Sequence, residues 1–124
     1  MANTIRSNGT ITINTAALQL INDFSFSSRT LTGSNAVSSA DNITTQSYQA
    51  LNTSSLSDIR YFIASNQDLT GSISIATDNV GTNQIGYLGK GDFILIPWSG
   101  STQLWAKAFK TTGSALLEYS IVEA

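Results

Sequence analysis

A chain of 124 residues with no cysteine and no histidine has the length of one domain. It lacks a disulfide framework, a thiolate zinc site and an imidazole base. Only 11% of its residues are charged, against roughly 25% in an ordinary soluble domain. Its cations, Arg6, Arg29, Arg60, Lys90, Lys107 and Lys110, are scattered, so no basic stripe exists for phosphate contacts and nucleic acid is not expected as a partner.

From the N-terminus, Met1-Ala-Asn-Thr-Ile-Arg6 has no apolar h-region, and no apolar run nears ~20 residues, so neither a leader nor a membrane span is expected. Asn8-Gly9 lies between Thr4-Ile-Arg6 and Thr10-Ile-Thr-Ile13, a setting that predicts a two-residue hairpin turn. Ile11 and Ile13 are expected to face inward, with Thr10 and Thr12 outward. Residues 15–22 fit a short strand or a turn, and Ala16, Ala17, Leu20 and Ile21 also fit one or two turns of helix. Residues 23–29 alternate, with Phe24 and Phe26 on one face. Residues 30–43 are small, polar and without period. They are expected to form a long surface loop, and residues 1–10 an arm, both serving contacts with other subunits.

Strand character returns at 44–51, followed by a polar link at 52–57. In Asp58-Ile-Arg-Tyr-Phe-Ile-Ala64 both alternating faces are largely apolar, which predicts a strand in the middle of a sheet with packing on both sides. A polar turn at 66–70 leads to a strand ending near Thr77, and a loop at 78–84 leads to a strand at 85–88. Gly89-Lys-Gly91 reads as a tight turn into Phe93-Ile-Leu-Ile96, where Pro97 ends the segment's use as a central strand. A turn at 99–101, a strand at 102–109, a turn at 111–114 and a strand at 115–122 complete the chain. In the last strand Leu117, Tyr119 and Ile121 share a face and Glu118 points to solvent. About eight short strands separated by turn chemistry predict a single all-β domain over 1–124, an antiparallel β-sandwich or jelly roll. Gly9-Thr-Ile-Thr-Ile-Asn-Thr15 echoes Gly71-Ser-Ile-Ser-Ile-Ala-Thr77, a pattern that two half-buried strands share without duplication.

No catalytic, cofactor-binding or metal-binding residue stands out. Without histidine or cysteine there is no Ser-His-Asp or Cys-His machinery. Asp68, Asp78 and Asp92 flank turns but do not follow calcium-loop spacing, so a role in capping their own turns is expected instead. Glu118, Glu123 and six scattered Asp offer no evident carboxylate pair for glycoside hydrolysis. Gly89-Lys-Gly91 lacks the spacing of a phosphate loop. Trp98 and Trp105 flank a short turn. They are read either as exposed platforms for a sugar ring or, preferably, as aromatics buried in the core or an interface. A surface built from Ser, Thr and Asn has few ions to desolvate when pressed against a partner.

Tyr61-Phe-Ile-Ala-Ser-Asn66-Gln-Asp68, Leu88-Gly-Lys-Gly91-Asp92-Phe-Ile-Leu-Ile-Pro97, Leu104-Trp-Ala106-Lys-Ala108 and Leu117-Glu118-Tyr119 follow one another between residues 46 and 122. In this order and spacing the chain resembles small β-sandwich virion structural proteins of tailed bacteriophages. The resemblance implies a non-enzymatic, cofactor-free capsid decoration (cement) protein, made in the host cytoplasm and carried in the virion. Its partners would be the major capsid protein or other virion proteins, and it would form a homo-oligomer, with a trimer favoured. The alternative is a tail- or collar-associated module that binds host carbohydrate through exposed aromatics.

Overall fold

Apolar residues alternate with Ser, Thr and Asn along most of the chain, a period of two that only extended backbone converts into one buried and one wet face. The computed structural model accordingly contains ten β-strands and, among the described residues, no helix. It describes residues 3–14, 16, 19–31, 36–53, 56, 59–100 and 103–123. The strands fall into two compact units, residues 1–34 and 35–124, where length alone predicts one domain.

The first unit is a two-stranded antiparallel ribbon of β1 (Asn3–Asn14) and β2 (Gln19–Leu31). Asn8-Gly9 does not turn the chain. Both residues lie inside β1, opposite Ser25 and Phe24. The local turn preference loses because β2 offers partners on either side of it, so a continuous ladder replaces a hairpin of three-residue arms. Residues 1–10 are therefore strand from Asn3 onward rather than an arm. The register shifts between Ile5 and Ser7, where Ser27 and Ser28 together oppose Arg6 as a bulge. Thr10 and Thr12 are exposed as expected. Of the ambiguous stretch 15–22, residues 19–22 open β2, and 15, 17 and 18 lie outside the described residues.

The second unit holds eight strands: β3 (Ala36–Thr44), β4 (Gln49–Ala50), β5 (Ile59–Asn66), β6 (Ser72–Ala76), β7 (Gln84–Leu88), β8 (Phe93–Gly100), β9 (Trp105–Phe109) and β10 (Ser114–Glu123). They form two four-stranded antiparallel sheets with orders β3-β10-β5-β8 and β4-β9-β6-β7. In chain order the first sheet takes strands one, eight, three and six, and the second takes two, seven, four and five. That interleaving of two Greek keys is the order of a jelly roll. Residues 36–44 are thus strand β3 rather than loop. Their small side chains show little hydrophobic period, but the whole length pairs with β10 from Ser114↔Thr44 to Val122↔Ala36. The predicted strand at 44–51 is cut by bends at 45–47, where the chain leaves one sheet for the other. The echoed segments occupy β1 of the ribbon and β6 of the sandwich, so they are not equivalent halves.

Between the sheets lies one apolar cluster built from Phe62, Ile73, Ile75, Leu104, Leu117 and Ile121 with their buried neighbours. Burying Phe62 completely contributes about 2–3 kcal/mol. Leu117, Tyr119 and Ile121 share the inner face of β10, and Glu118 is exposed. β5 sits between β10 and β8, with Phe62, Ala64 and Asn66 facing the core. Ile59 joins them out of phase because the register shifts between Ile59 and Tyr61. Packing on the outer face is uneven: Tyr61 is buried there, while Ile63 and Ser65 are half-buried. Pro97 lies on an edge strand, as its missing N–H requires. It withholds no bond from a further neighbour there, and the ladder continues to Gly100 past the shift.

Candidate functional site

At one end of the sandwich the sheets are stitched together by Asn66, the last residue of β5 and fully buried. Its Nδ2 donates to the carbonyls of Gly71 (2.9 Å), Leu88 (3.1 Å) and Gly89 (3.1 Å). Its Oδ1 accepts from the Asp68 amide at 2.9 Å, and its own N–H donates to Asp92 O at 2.9 Å. One neutral amide thereby satisfies the backbone of two turns. Asp68 continues the knot by accepting from the Thr70 and Gly71 amides and from Lys110 Nζ at 3.1 Å. The Thr70 amide, followed by Lys110, holds its carboxyl below the ordinary range.

The three aspartates expected to cap their own turns do so. Asp92 accepts from Gly89 N at 2.8 Å. Asp78 accepts from the amides of Val80 (3.0 Å), Thr82 (2.9 Å) and Asn83 (2.6 Å). Desolvation is the largest single influence on Asp78 and raises its pKa, but the backbone donors, led by Asn83, together outweigh it and lower it. Among the described residues no three metal-ligating side chains gather. Gly89-Lys90-Gly91 is the turn between β7 and β8, followed by a strand rather than a helix. Glu118 stands on the outer face of β10, and the side chain of Glu123 lies outside the described residues.

The loop held by Asp78 folds back over the outer face of the second sheet. Gly81 adopts a positive φ of 78° there, and an added Cβ would strike the Tyr48 ring. Tyr48 in turn donates to Ser74 Oγ at 2.9 Å and accepts from Gln84 Nε2 at 3.2 Å, so Ser74 and Ala76 are sealed although they point away from the core. Beyond this strap the face is open. Tyr87 of β7 is 58% exposed and Phe109 of β9 is 41% exposed, their rings 5.9 Å apart. Lys107 Nζ lies 5.2 Å from the Phe109 ring centroid, within cation–π reach. Trp105 is half-buried on β9 of this sheet, next to Ala50 and Ala76. Trp98 belongs to β8 of the other sheet, and its side chain lies outside the described residues. The aromatic pair that sequence reasoning missed is Tyr87 with Phe109. They are 22 positions apart, and only the pairing of β6 with both β7 and β9 brings them together.

The outer face of the first sheet is different. Its rows run Ala40, Glu118, Ser65, Phe93 and Ser38, Ser120, Ile63, Leu95. Small residues in the middle leave a groove of about 450 Å³, with Phe93 standing 66% exposed at its side.

Comparison with family models, with curated proteins and with solved structures finds no match to this chain. What defines its class is therefore its own architecture, an eight-stranded jelly-roll sandwich accompanied by a two-stranded ribbon.

Proposed function

We propose that this chain is a non-enzymatic structural protein of a tailed-phage particle, decorating the outer capsid lattice. The observation that carries the reading is the Tyr87–Phe109 pair, two exposed aromatics in contact on one sheet face, with Lys107 beside the Phe109 ring. Aromatic residues dominate the binding energy of protein interfaces, and a face with few ions loses little on desolvation. The order and spacing of the motifs between residues 46 and 122 and the jelly-roll topology, an architecture widespread in viral capsids, point the same way. Fold-level analogy sets only the direction. Ile21, 69% exposed on β2, offers the ribbon a contact of its own. A lattice that repeats one weak contact many times needs no single strong one.

The test is co-sedimentation of the purified chain with capsids assembled in its absence. The chain should bind at saturable, lattice-proportional stoichiometry. Tyr87→Ala with Phe109→Ala should lower the affinity at least about tenfold, a loss of ~1.4 kcal/mol, with the circular dichroism unchanged. Failure of the unmodified chain to bind, or equal binding by the double variant, refutes the reading. Light scattering of the free chain tests the expected trimer.

A further inference from the structure

The groove on the outer face of the first sheet belongs to neither the core nor the Tyr87–Phe109 patch. We infer that it is a binding site for a neutral saccharide chain, with Phe93 as the stacking platform and Glu118 as the hydroxyl acceptor. The inference goes beyond the assembly reading and does not depend on it.

Glu118 of β10 and Phe93 of β8 both flank β5 and sit on either side of Ser65. Adjacent strands lie ~4.8 Å apart, so the carboxylate and the ring rise from strands ~10 Å apart with only a serine between them. The volume of about 450 Å³ falls in the range that ligand sites occupy. A pyranose ring carries the two kinds of surface these groups would meet. Its C–H face carries partial positive charge and lies on the negative face of an aromatic ring. Its edge presents hydroxyls, and a carboxylate accepts from two of them with charge-assisted strength.

The rest of the lining matches a polyhydroxylated ligand better than a protein. Ser38 Oγ and Ser120 Oγ lie 3.2 Å apart, two groups that each donate and accept. Ser65 Oγ accepts from Gln67 Nε2 at 2.6 Å, which leaves its proton free to donate toward the slot. Ile63 gives the floor a small apolar patch. Hydroxyls that serve as donor or acceptor adapt to the changing stereochemistry along a sugar chain. Among the described residues Glu118 is the only charged one lining the groove, so an acidic sugar meets repulsion there with no cation among them to offset it. The site therefore selects neutral saccharides.

The experiment uses the full chain, titrated with maltotriose, cellotriose and tri-N-acetylchitotriose, and with trigalacturonate as the acidic counterpart, read by amide chemical shifts. At least one neutral trisaccharide should shift the amides of Ser65, Phe93 and Glu118 with a Kd of about 1 mM or tighter. Trigalacturonate should bind at least about tenfold more weakly. Phe93→Ala and Glu118→Gln, both at exposed positions, should each weaken the neutral sugar about tenfold, while Phe93→Ala leaves capsid co-sedimentation unchanged. Conversely, Tyr87→Ala with Phe109→Ala should leave the sugar titration unchanged. The proposal is overturned if no neutral trisaccharide shifts these amides, if the shifts map to Tyr87 and Phe109, or if Phe93→Ala binds as tightly as the unmodified chain.

Discussion

Asn66 and Asp78 do similar work at two places in the sandwich, and they do it by opposite means. Each side chain gathers several backbone groups of turns. Asn66 is fully buried and neutral, and its partners belong to the β5–β6 and β7–β8 connections, so they span up to 23 positions of sequence. Asp78 is charged, and its partners Val80, Thr82 and Asn83 lie within five positions of it. A buried knot must be neutral because an ion there would face carbonyl oxygens without water. A loop near solvent can use a carboxylate because water shares the cost of its charge. The first knot therefore bears on the whole sandwich, and the second bears on one loop and the strap it forms over Ser74.

The sharpest way to break the comparison is at Asn66. Asn66→Ala removes the partner of three carbonyls and one amide, and each buried group left unsatisfied costs roughly 1–3 kcal/mol. The variant should lose about 3 kcal/mol or more, comparable to the core change Phe62→Ser, which empties a fully buried aromatic site and adds a hydroxyl to it. Urea unfolding measures both. Asn66→Asp keeps the shape but turns the donor into an acceptor facing three carbonyls. Burial and those oxygens raise the pKa of the introduced carboxyl in the folded state, so the penalty is small below the unfolded value of ~3.9 and grows as pH rises above it. The stability of this variant relative to the unmodified chain should therefore recover on acidification. An equal deficit at pH 7 and pH 4 would mean that the amide's donors are not what the site needs.

This difference also decides what a reader of the sequence can see. Asp78 is legible as a turn-capping residue because Asp bonds the backbone two to five residues on, and the loop around it is recognisably polar. So is the inner face of β10, where Leu117, Tyr119 and Ile121 alternate with Glu118. Asn66 is legible only as part of a turn, since nothing local says that carbonyls from positions 71, 88 and 89 converge on it. β3 was hidden for the same reason. Residues 36–43 carry almost no hydrophobic period, and their strand state comes from β10, some 80 positions away. Asn8-Gly9 shows the converse, a strong local turn signal overridden by a long partner strand. Of the candidate sites, the Trp98–Trp105 pair was visible in sequence but divides between two sheets. The Phe93–Glu118 groove and the Tyr87–Phe109 patch exist only through strand order.

Acid should separate the two anchors more gently. Asp68 and Asp78 both have carboxyls held below the ordinary value of 3.8 in the folded chain. A depressed folded pKa contributes stability above the unfolded pKa and loses it as pH falls through the folded one. Thermal midpoints of the unmodified chain should thus decline as pH drops below about 4–5, opposite in sign to the relative recovery of Asn66→Asp. Asp78→Ala should flatten part of that decline. It should also accelerate hydrogen exchange at the amides of Val80, Thr82 and Asn83 while leaving those of β5 and β10 protected, because the opening is confined to one loop. Loss of protection across β5 would show that the β6–β7 loop is no local unit.

The smallest effect is the most discriminating. Gln67 follows Asn66 and carries the same amide one methylene further out, yet it is exposed, and its Nε2 donates to Ser65 Oγ at 2.6 Å on the wet side of the sheet. The backbone contribution of residue 67, its N–H donated to Leu116 O at 2.9 Å, does not involve the side chain. Gln67→Ser should therefore change unfolding free energy by no more than about 0.5 kcal/mol, the range of exposed substitutions without a structural role. Asn66→Ala, one residue away, is expected to cost several times that. Two adjacent amides with such different weights separate burial and convergence of partners from residue type as the source of stability. If Gln67→Ser cost as much as Asn66→Ala, the turn itself would be the stabilising unit, and the buried amide would have no special standing within it.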